Sequence, residues 1–586
     1  MLKENKTKPL LALALLIFVS LATLPIQAQR VDPLPQRSPV VNPAASPQRR
    51  LVVAIIVDQF RYDYLERFGD LFTNGGFRRL INQGAFFTNA NYDYIPTFTA
   101  PGHACIFTGS IPALNGIVGN LIYDRATNKT RNVVTDEETR LVTSRGVEAD
   151  RPAQSPRVLI GTTISDQLRW SNNFQSKVVA ISYKDRSAIL PGGIRPNGAY
   201  WFNSEAGEFV TSDYYTKEFP AWVKKFNSTD RPDKYFNARW DRVLPAAAYR
   251  RAQEKNLDVQ RSPVGRSFPY TVTGGDDKPG KRFYDAFQYT PFGSEYLEKF
   301  ARAAIEGEHL GEDRFVDLLS VSFSSPDLTG HAFGPDSQEV LDTYVRLDRL
   351  LAEFLNYLDQ KIGLANITLF VTGDHGVSPV PEYAKSLGYD ADRLSSVSVS
   401  DAVKKALGER FGDEKLYLAF VNEQIFLDHR LIAEKKLNPA EVERVAGEAV
   451  MTVPGVVNYF TRSQILSGRV PSGIVGTRVV NGFHPQRSGD VAVILKPFWF
   501  IAEGPLATTH GSVYNYDTHV PVIFFGAGVR PGRYNAECAP SDIAPTLAAL
   551  LAVEMPSNRS GRVLVEAIAG DRGQGTGDRG HERGER

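Results

Sequence analysis

Seven consecutive apolar residues, Leu51-Val52-Val53-Ala54-Ile55-Ile56-Val57, end abruptly at Asp58, and nothing else in the sequence restricts the fold as sharply. A run without polar alternation suits a strand buried on both faces, as in a parallel sheet covered by helices. Comparable runs recur at 177–183, 315–323, 367–372, 491–495 and 520–525. Helical patterns separate them. The clearest covers 337–362, where Val340, Tyr344, Leu347, Leu351, Phe354, Leu358 and Ile362 follow at three- and four-residue steps. Asp336 with Glu339 resembles a capping box at its start. This alternation predicts an α/β fold with a central, mostly parallel sheet covered by helices.

Two irregular stretches, about 190–300 and 380–485, interrupt the rhythm and are expected to be insertions that form a cap over one edge of the sheet. The folded domain is expected over 50–565. Ahead of it, Lys3, Lys6 and Lys8 precede an uncharged apolar run at 10–24 and then Pro25-Ile26-Gln27-Ala28. That is the layout of a signal peptide over 1–28. The run is short for a full membrane span, so a periplasmic or secreted protein without stable membrane insertion is expected, rather than one held by an uncleaved anchor. Residues 29–49 read as a Pro-rich extended linker. Residues 566–586, mostly Gly, Arg, Asp and Glu, read as a disordered tail.

The 67 basic and 66 acidic residues leave a formal charge of +1, which points away from a nucleic-acid partner. An anionic substrate would need local positive charge, and metal ions could supply it. Only Cys105 and Cys538 are present, and both are expected as small core residues rather than as a disulfide framework.

Ligands of open α/β sheets bind beyond the carboxyl ends of the strands. At those ends stand Asp58, Asp327 with His331 four residues on, Asp374 with His375, and, in a later loop, His510. An Asp after a strand is by itself an ordinary turn former, but six such residues together suggest ligation. Mixed imidazole and carboxylate donors suit zinc better than calcium or magnesium. Six ligands suffice for two ions, which can clamp both oxygens of an in-line phosphoryl displacement. Thr99, in Thr99-Ala100-Pro101-Gly102-His103, is expected near the N-cap of a helix. Capping and nucleophilic attack on a phosphate held at that N-terminus are compatible roles. Lys184-Asp185-Arg186 follows another strand and could hold phosphoryl oxygens.

These motifs, in this order, resemble the alkaline phosphatase superfamily, most closely its phosphate-insensitive bacterial members with a threonine nucleophile, which are related to the type I phosphodiesterases/nucleotide pyrophosphatases. The shared motifs are V-D at Asp58, T-A-P-G-H from Thr99, G-N at Asn120, K-D-R from Lys184, P-D-x-x-G-H ending at His331, G-D-H-G around Asp374 and T-H-G-S at His510. The resemblance implies two Zn2+ per chain, one on Asp327, His331 and His510 and one on Asp58, Asp374 and His375. It implies attack by Thr99, a phosphothreonine intermediate, and phosphoryl contacts from Asn120, Lys184 and Arg186. His103 and His519 are expected to support the structure rather than react. Small-molecule phosphate esters are the expected substrates and a monomer the expected state.

A phosphodiesterase of the same superfamily is the nearest rival, and Lys184 with Arg186 favours the monoesterase, whose dianionic substrate carries more charge. A sulfatase is disfavoured because Cys105 lies outside a C/S-x-P-x-R context. An inactive binding protein on the same fold would have no need of six ligands and a nucleophile.

Overall fold

The structure, a computed structural model, describes residues 49–569 except Glu254, Glu503 and Pro505. The expected leader, nearly all of the linker and most of the tail lie outside the described residues. Strands β1 (Leu51–Val57), β2 (Val178–Ser182), β3 (Gly198–Asn203), β4 (Asp317–Phe323) and β5 (Ile367–Gly373) run parallel, in the spatial order β5-β1-β4-β2-β3. Strand β6 (Val522–Gly526) adds antiparallel to β5, and further strands extend both flanks.

Alternate residues of β1 enter opposite cores. Leu51, Val53, Ile55 and Val57 join Phe77, Tyr344, Leu351 and Phe354 on one face. Val52, Ala54 and Ile56 join Ile106, Phe107, Ile543 and Leu547 on the other. All seven are fully buried, as a strand covered on both faces requires. Register then sets the site: Val57 pairs with Phe323 and with Gly373, and Ser322 with Ser182. Four strand ends are therefore flush, so the residues that follow them emerge side by side along one edge.

Three expectations change. The 190–300 stretch is not a cap, because β3 and Glu208–Ser212 are strands of the main sheet. Its aromatics fill the main core, with Phe209 stacked on Phe300 at 3.9 Å. The run at 491–495 does not join the parallel sheet. It pairs antiparallel with Gln424–Leu427 and Val456–Thr461 in a four-stranded sheet. That sheet packs with helices Ser396–Phe411 and Pro439–Val450 around a separate core including Val399, Leu407, Val442 and Val450. An apolar run reports burial but not which sheet buries it. Finally, the helix Gln338–Lys361 is capped by Ser337, whose hydroxyl accepts the Val340 N–H at 3.2 Å. Asp336 instead pairs with Arg67 at 2.9 Å.

The fold also reaches past the expected ends. Arg49 donates to the carbonyls of Leu550 and Ala527, and Ala567 is buried beside a bridge between Val529 and Ile568. Cys105 and Cys538 are both free and buried. No helix among the described residues is long and apolar enough to cross a membrane.

Candidate active site

Helix Thr99–Thr108 begins at the sheet edge with Phe98 as its N-cap, so Thr99 is the first helical residue and caps nothing. Its buried hydroxyl lies 3.3 Å from His375 Nε2 and 3.4 Å from Lys184 Nζ. Gly102 lets the helix press against the Asp374 strand end, because a Cβ there would lie 2.3 Å from the Asp374 carbonyl. Asn120 Oδ1 accepts the Ala100 N–H at 2.9 Å, fixing the Asn120 amide at the helix start. Lys184 is the N-cap residue of helix Asp185–Gly192, and Arg186 follows in its first turn. Arg186 Nε is buried with no hydrogen-bond partner. Helix Ser325–Phe333 sets Asp327 and His331 one turn apart.

The six expected ligands form two groups, Asp327–His331–His510 and Asp58–Asp374–His375, with donor atoms in each within 4.8 Å of one another. His331 Nε2 lies 3.2 Å from Asp327 Oδ1, and His375 Nε2 lies 3.4 Å from Asp58 Oδ1 and 3.5 Å from Asp374 Oδ2. The other ring nitrogen of each histidine meets a backbone carbonyl: His331 Nδ1 at Thr508 (2.8 Å), His375 Nδ1 at Gly376 (2.9 Å) and His510 Nδ1 at Thr97 (2.7 Å). Carbonyls accept only, so each Nδ1 carries a proton, and in a neutral ring the Nε2 lone pair faces the carboxylates. A proton or a metal ion must therefore lie between each Nε2 and its carboxylate, and burial disfavours the proton at His375 and His510. The residues therefore fit two divalent metals, and the imidazole–carboxylate donor set fits zinc.

The electrostatics agree. Burial, and then the nearby Asp327, pushes Asp58 up to about 6 despite Lys184. Burial followed by Asp58 raises Asp374 well above the carboxylate range. Burial acts the same way on Asp327, but His331 and Lys184 outweigh it and hold Asp327 well below that range. Burial drops His510 to about 3 and His375 well below its ordinary value. Three buried carboxylates share one ammonium, with Lys184 Nζ 2.7 Å from Asp58 and 2.5 Å from Asp327. Asp374 Oδ2 and Asp58 Oδ1 are buried without hydrogen-bond partners. One ammonium does not balance the three carboxylates around it.

Sequence reasoning missed two supporting residues. Gln59, at a left-handed φ of 67°, donates its side-chain amide to Asp327 Oδ1 (2.8 Å) and its backbone N–H to Asp374 Oδ1 (3.1 Å). Asp517 accepts the Gly511 and Ser512 N–H groups, while its backbone carbonyl accepts that of Gly376. It thus ties the His510 loop to the His375 loop, and burial pushes it up to about 7. Adjacency to Asp58 and to His510 was the only signal for either. His103 spans the Thr99 carbonyl and the Ser322 hydroxyl, both at 2.8 Å, and His519 meets the Thr88 carbonyl at 2.9 Å. His429 pairs with Asp490 at 2.7 Å.

Residues 52–519 match the family model "Type I phosphodiesterase / nucleotide pyrophosphatase". The chain is 38% identical to alkaline phosphatase PafA of Elizabethkingia meningoseptica over 89% of this chain and 95% of that protein. It is 37% identical to alkaline phosphatase PhoV of Synechococcus elongatus over 94% of this chain and 99% of that protein. The crystal structure of PafA superposes with a TM-score of 0.83 at 36% identity, covering 90% of this chain and 100% of the other. With the motifs at four flush strand ends and this likeness along nearly the whole chain, the protein is an enzyme of the type I phosphodiesterase/nucleotide pyrophosphatase family, within the alkaline phosphatase superfamily.

Proposed function

We propose that this enzyme is an exported phosphatase that hydrolyses phosphate monoesters through a phosphothreonine formed on Thr99. Asp327, His331 and His510 would hold one zinc ion, and Asp58, Asp374 and His375 the second. Bound zinc would supply Lewis acidity and neutralise the anionic oxygens of the transferring group. The observation that carries the reading is the position of Lys184, whose ammonium touches a carboxylate of each ligand group and lies 3.4 Å from the Thr99 hydroxyl. A cation there can contact a non-bridging oxygen of a phosphoryl group on Thr99. Asn120, pinned to the helix start, and Arg186, with its unpartnered Nε, supply further donors for the same oxygens. The helix N-terminus adds partial positive charge under the nucleophile. Fixed donors aimed at that group favour the dianion of a monoester. The names of the relatives, alkaline phosphatases PafA and PhoV, support the same activity.

Phosphodiester hydrolysis is the second reading, favoured by the name of the matching family model. The test is kcat/KM for an aryl phosphate monoester and the matching diester on zinc-loaded protein, wild type and Lys184→Ala/Arg186→Ala. The monoester should be strongly preferred. The double variant should lose roughly a hundredfold or more on the monoester, in line with removal of oxyanion donors, and far less on the diester. A diester preference would move the protein to the second reading, and equal losses on both substrates would mean that Lys184 and Arg186 do something other than read the dianion.

A further inference from the structure

A 380 Å³ cavity opens beside the reaction centre, lined by Asn120 and His510 on one side and by the four-stranded unit on the other. Its remaining walls set apolar side chains, among them Phe98, Leu121, Phe420 and Phe500, beside the polar Thr130, Asn422, Glu423 and Thr509. Leu121 is 39% exposed although it adjoins Asn120, which leaves an apolar side chain facing the opening next to the reacting group. The walls are held in place. Phe98 packs edge-on against His510 at 5.5 Å. The Asn422 amide donates to the Leu121 carbonyl at 2.8 Å, locking the Asn422–Glu423 turn onto the catalytic body. Arg393 stacks on Phe500 at 5.1 Å, is gripped by both carboxylate oxygens of Glu382, and donates to the Leu506 carbonyl at 2.9 Å.

The cavity shares His510 with one metal-ligand group and Asn120 with the start of the Thr99 helix, which places it next to the phosphoryl position. We propose that this pocket receives the leaving group, and that the preferred substrates are phosphate monoesters of aromatic or bulky apolar alcohols. The inference rests on the monoesterase reading above. A ring packed against Phe98 or Phe500 gains apolar contact that a small alcohol cannot, while Thr130, Asn422, Glu423 and Thr509 leave room for a polar substituent on it. Pre-set walls let that contact act with little ordering cost.

The test compares 2-phenylethyl phosphate with ethyl phosphate, whose alcohols are nearly equal in acidity, so that leaving ability is matched and only the ring differs. Zinc-loaded wild type should prefer the phenyl substrate by about tenfold or more in kcat/KM, the scale expected for filling an apolar pocket. Phe500→Ala should cut that ratio severalfold. Leu121→Ser, at a half-exposed position that does not support the core, should do the same should Phe500→Ala fail to fold. Equal kcat/KM for the two monoesters in wild type, or a ratio unmoved in Leu121→Ser, overturns the pocket assignment and leaves the monoesterase reading intact. Hydrolysis of a diester with neither monoester turned over overturns the underlying reading, and the pocket assignment with it.

Discussion

Thr99 Oγ1 has two close neighbours, the His375 ring nitrogen and the Lys184 ammonium, and it accepts no backbone N–H of its own helix. Its removal should therefore cost chemistry rather than helix stability. Thr99→Ala is expected to lower kcat/KM by about a thousandfold or more while zinc stoichiometry, read by metal analysis of the same sample, stays unchanged. Undiminished turnover would put the nucleophile elsewhere. Gly330 offers a residue-level test of the support around the ligands. It lies between Asp327 and His331, and a Cβ there would sit 1.6 Å from Gln59 Oε1. Gly330→Ala must push Gln59 off Asp327, and loss of such a partner weakens metal binding by about tenfold or more. Competition for zinc against a chromophoric chelator measures it. The six residues expected as ligands, with Thr99 and Lys184, could be named from the sequence by their motifs, and the structure gathers the six into two groups. Gln59 was not, since its role depends on a left-handed backbone turn that carries its amide to a residue 268 positions away.

The elements show where local pattern suffices and where it fails. Periodicity located the helix Gln338–Lys361, but the cap moved by one residue because Ser337 has both the extended backbone and a hydroxyl within reach of Val340 N–H. Ser337→Ala should destabilise the protein by about 1 kcal/mol, seen as a lower urea midpoint with turnover unaffected; an unchanged midpoint would mean that the cap contributes nothing in this context. The run at 491–495 and the aromatic stretch at 190–300 were both assigned to the wrong layer. Burial alone makes a segment apolar, and the partner that buries it, main sheet or separate core, leaves no mark on the run itself.

Across the whole molecule, neutral histidines shielded from water couple stability to pH. His519 stacks on Tyr62 at 4.2 Å, and burial lowers its pKa. His103, which unlike the half-buried His519 is fully buried, is brought down to about 3. The unfolded chain binds protons at these rings near the ordinary histidine value of about 6.5, whereas the native state does not. Below that pH the unfolded state holds more protons, so native stability is fully present above about 6.5 and declines as the pH falls. His519→Gln should make that decline shallower than in wild type, measured as urea midpoints at a series of pH values from about 8 to 5. Parallel curves for the two proteins would remove His519 from the account.

The sequence by itself determined the α/β class, the strand ends and the residue types that meet there, because a doubly buried strand must be apolar throughout and its polar successor emerges at the sheet edge. Only the tertiary structure decided the rest. Flush register brought Asp58, Asp327 and Asp374 together, the distant carbonyls of Thr508 and Thr97 met the rings of His331 and His510, and a separate four-stranded unit walled the pocket beside His510. Those relations join residues far apart in the chain, and no local periodicity or motif spacing encodes which distant groups will meet.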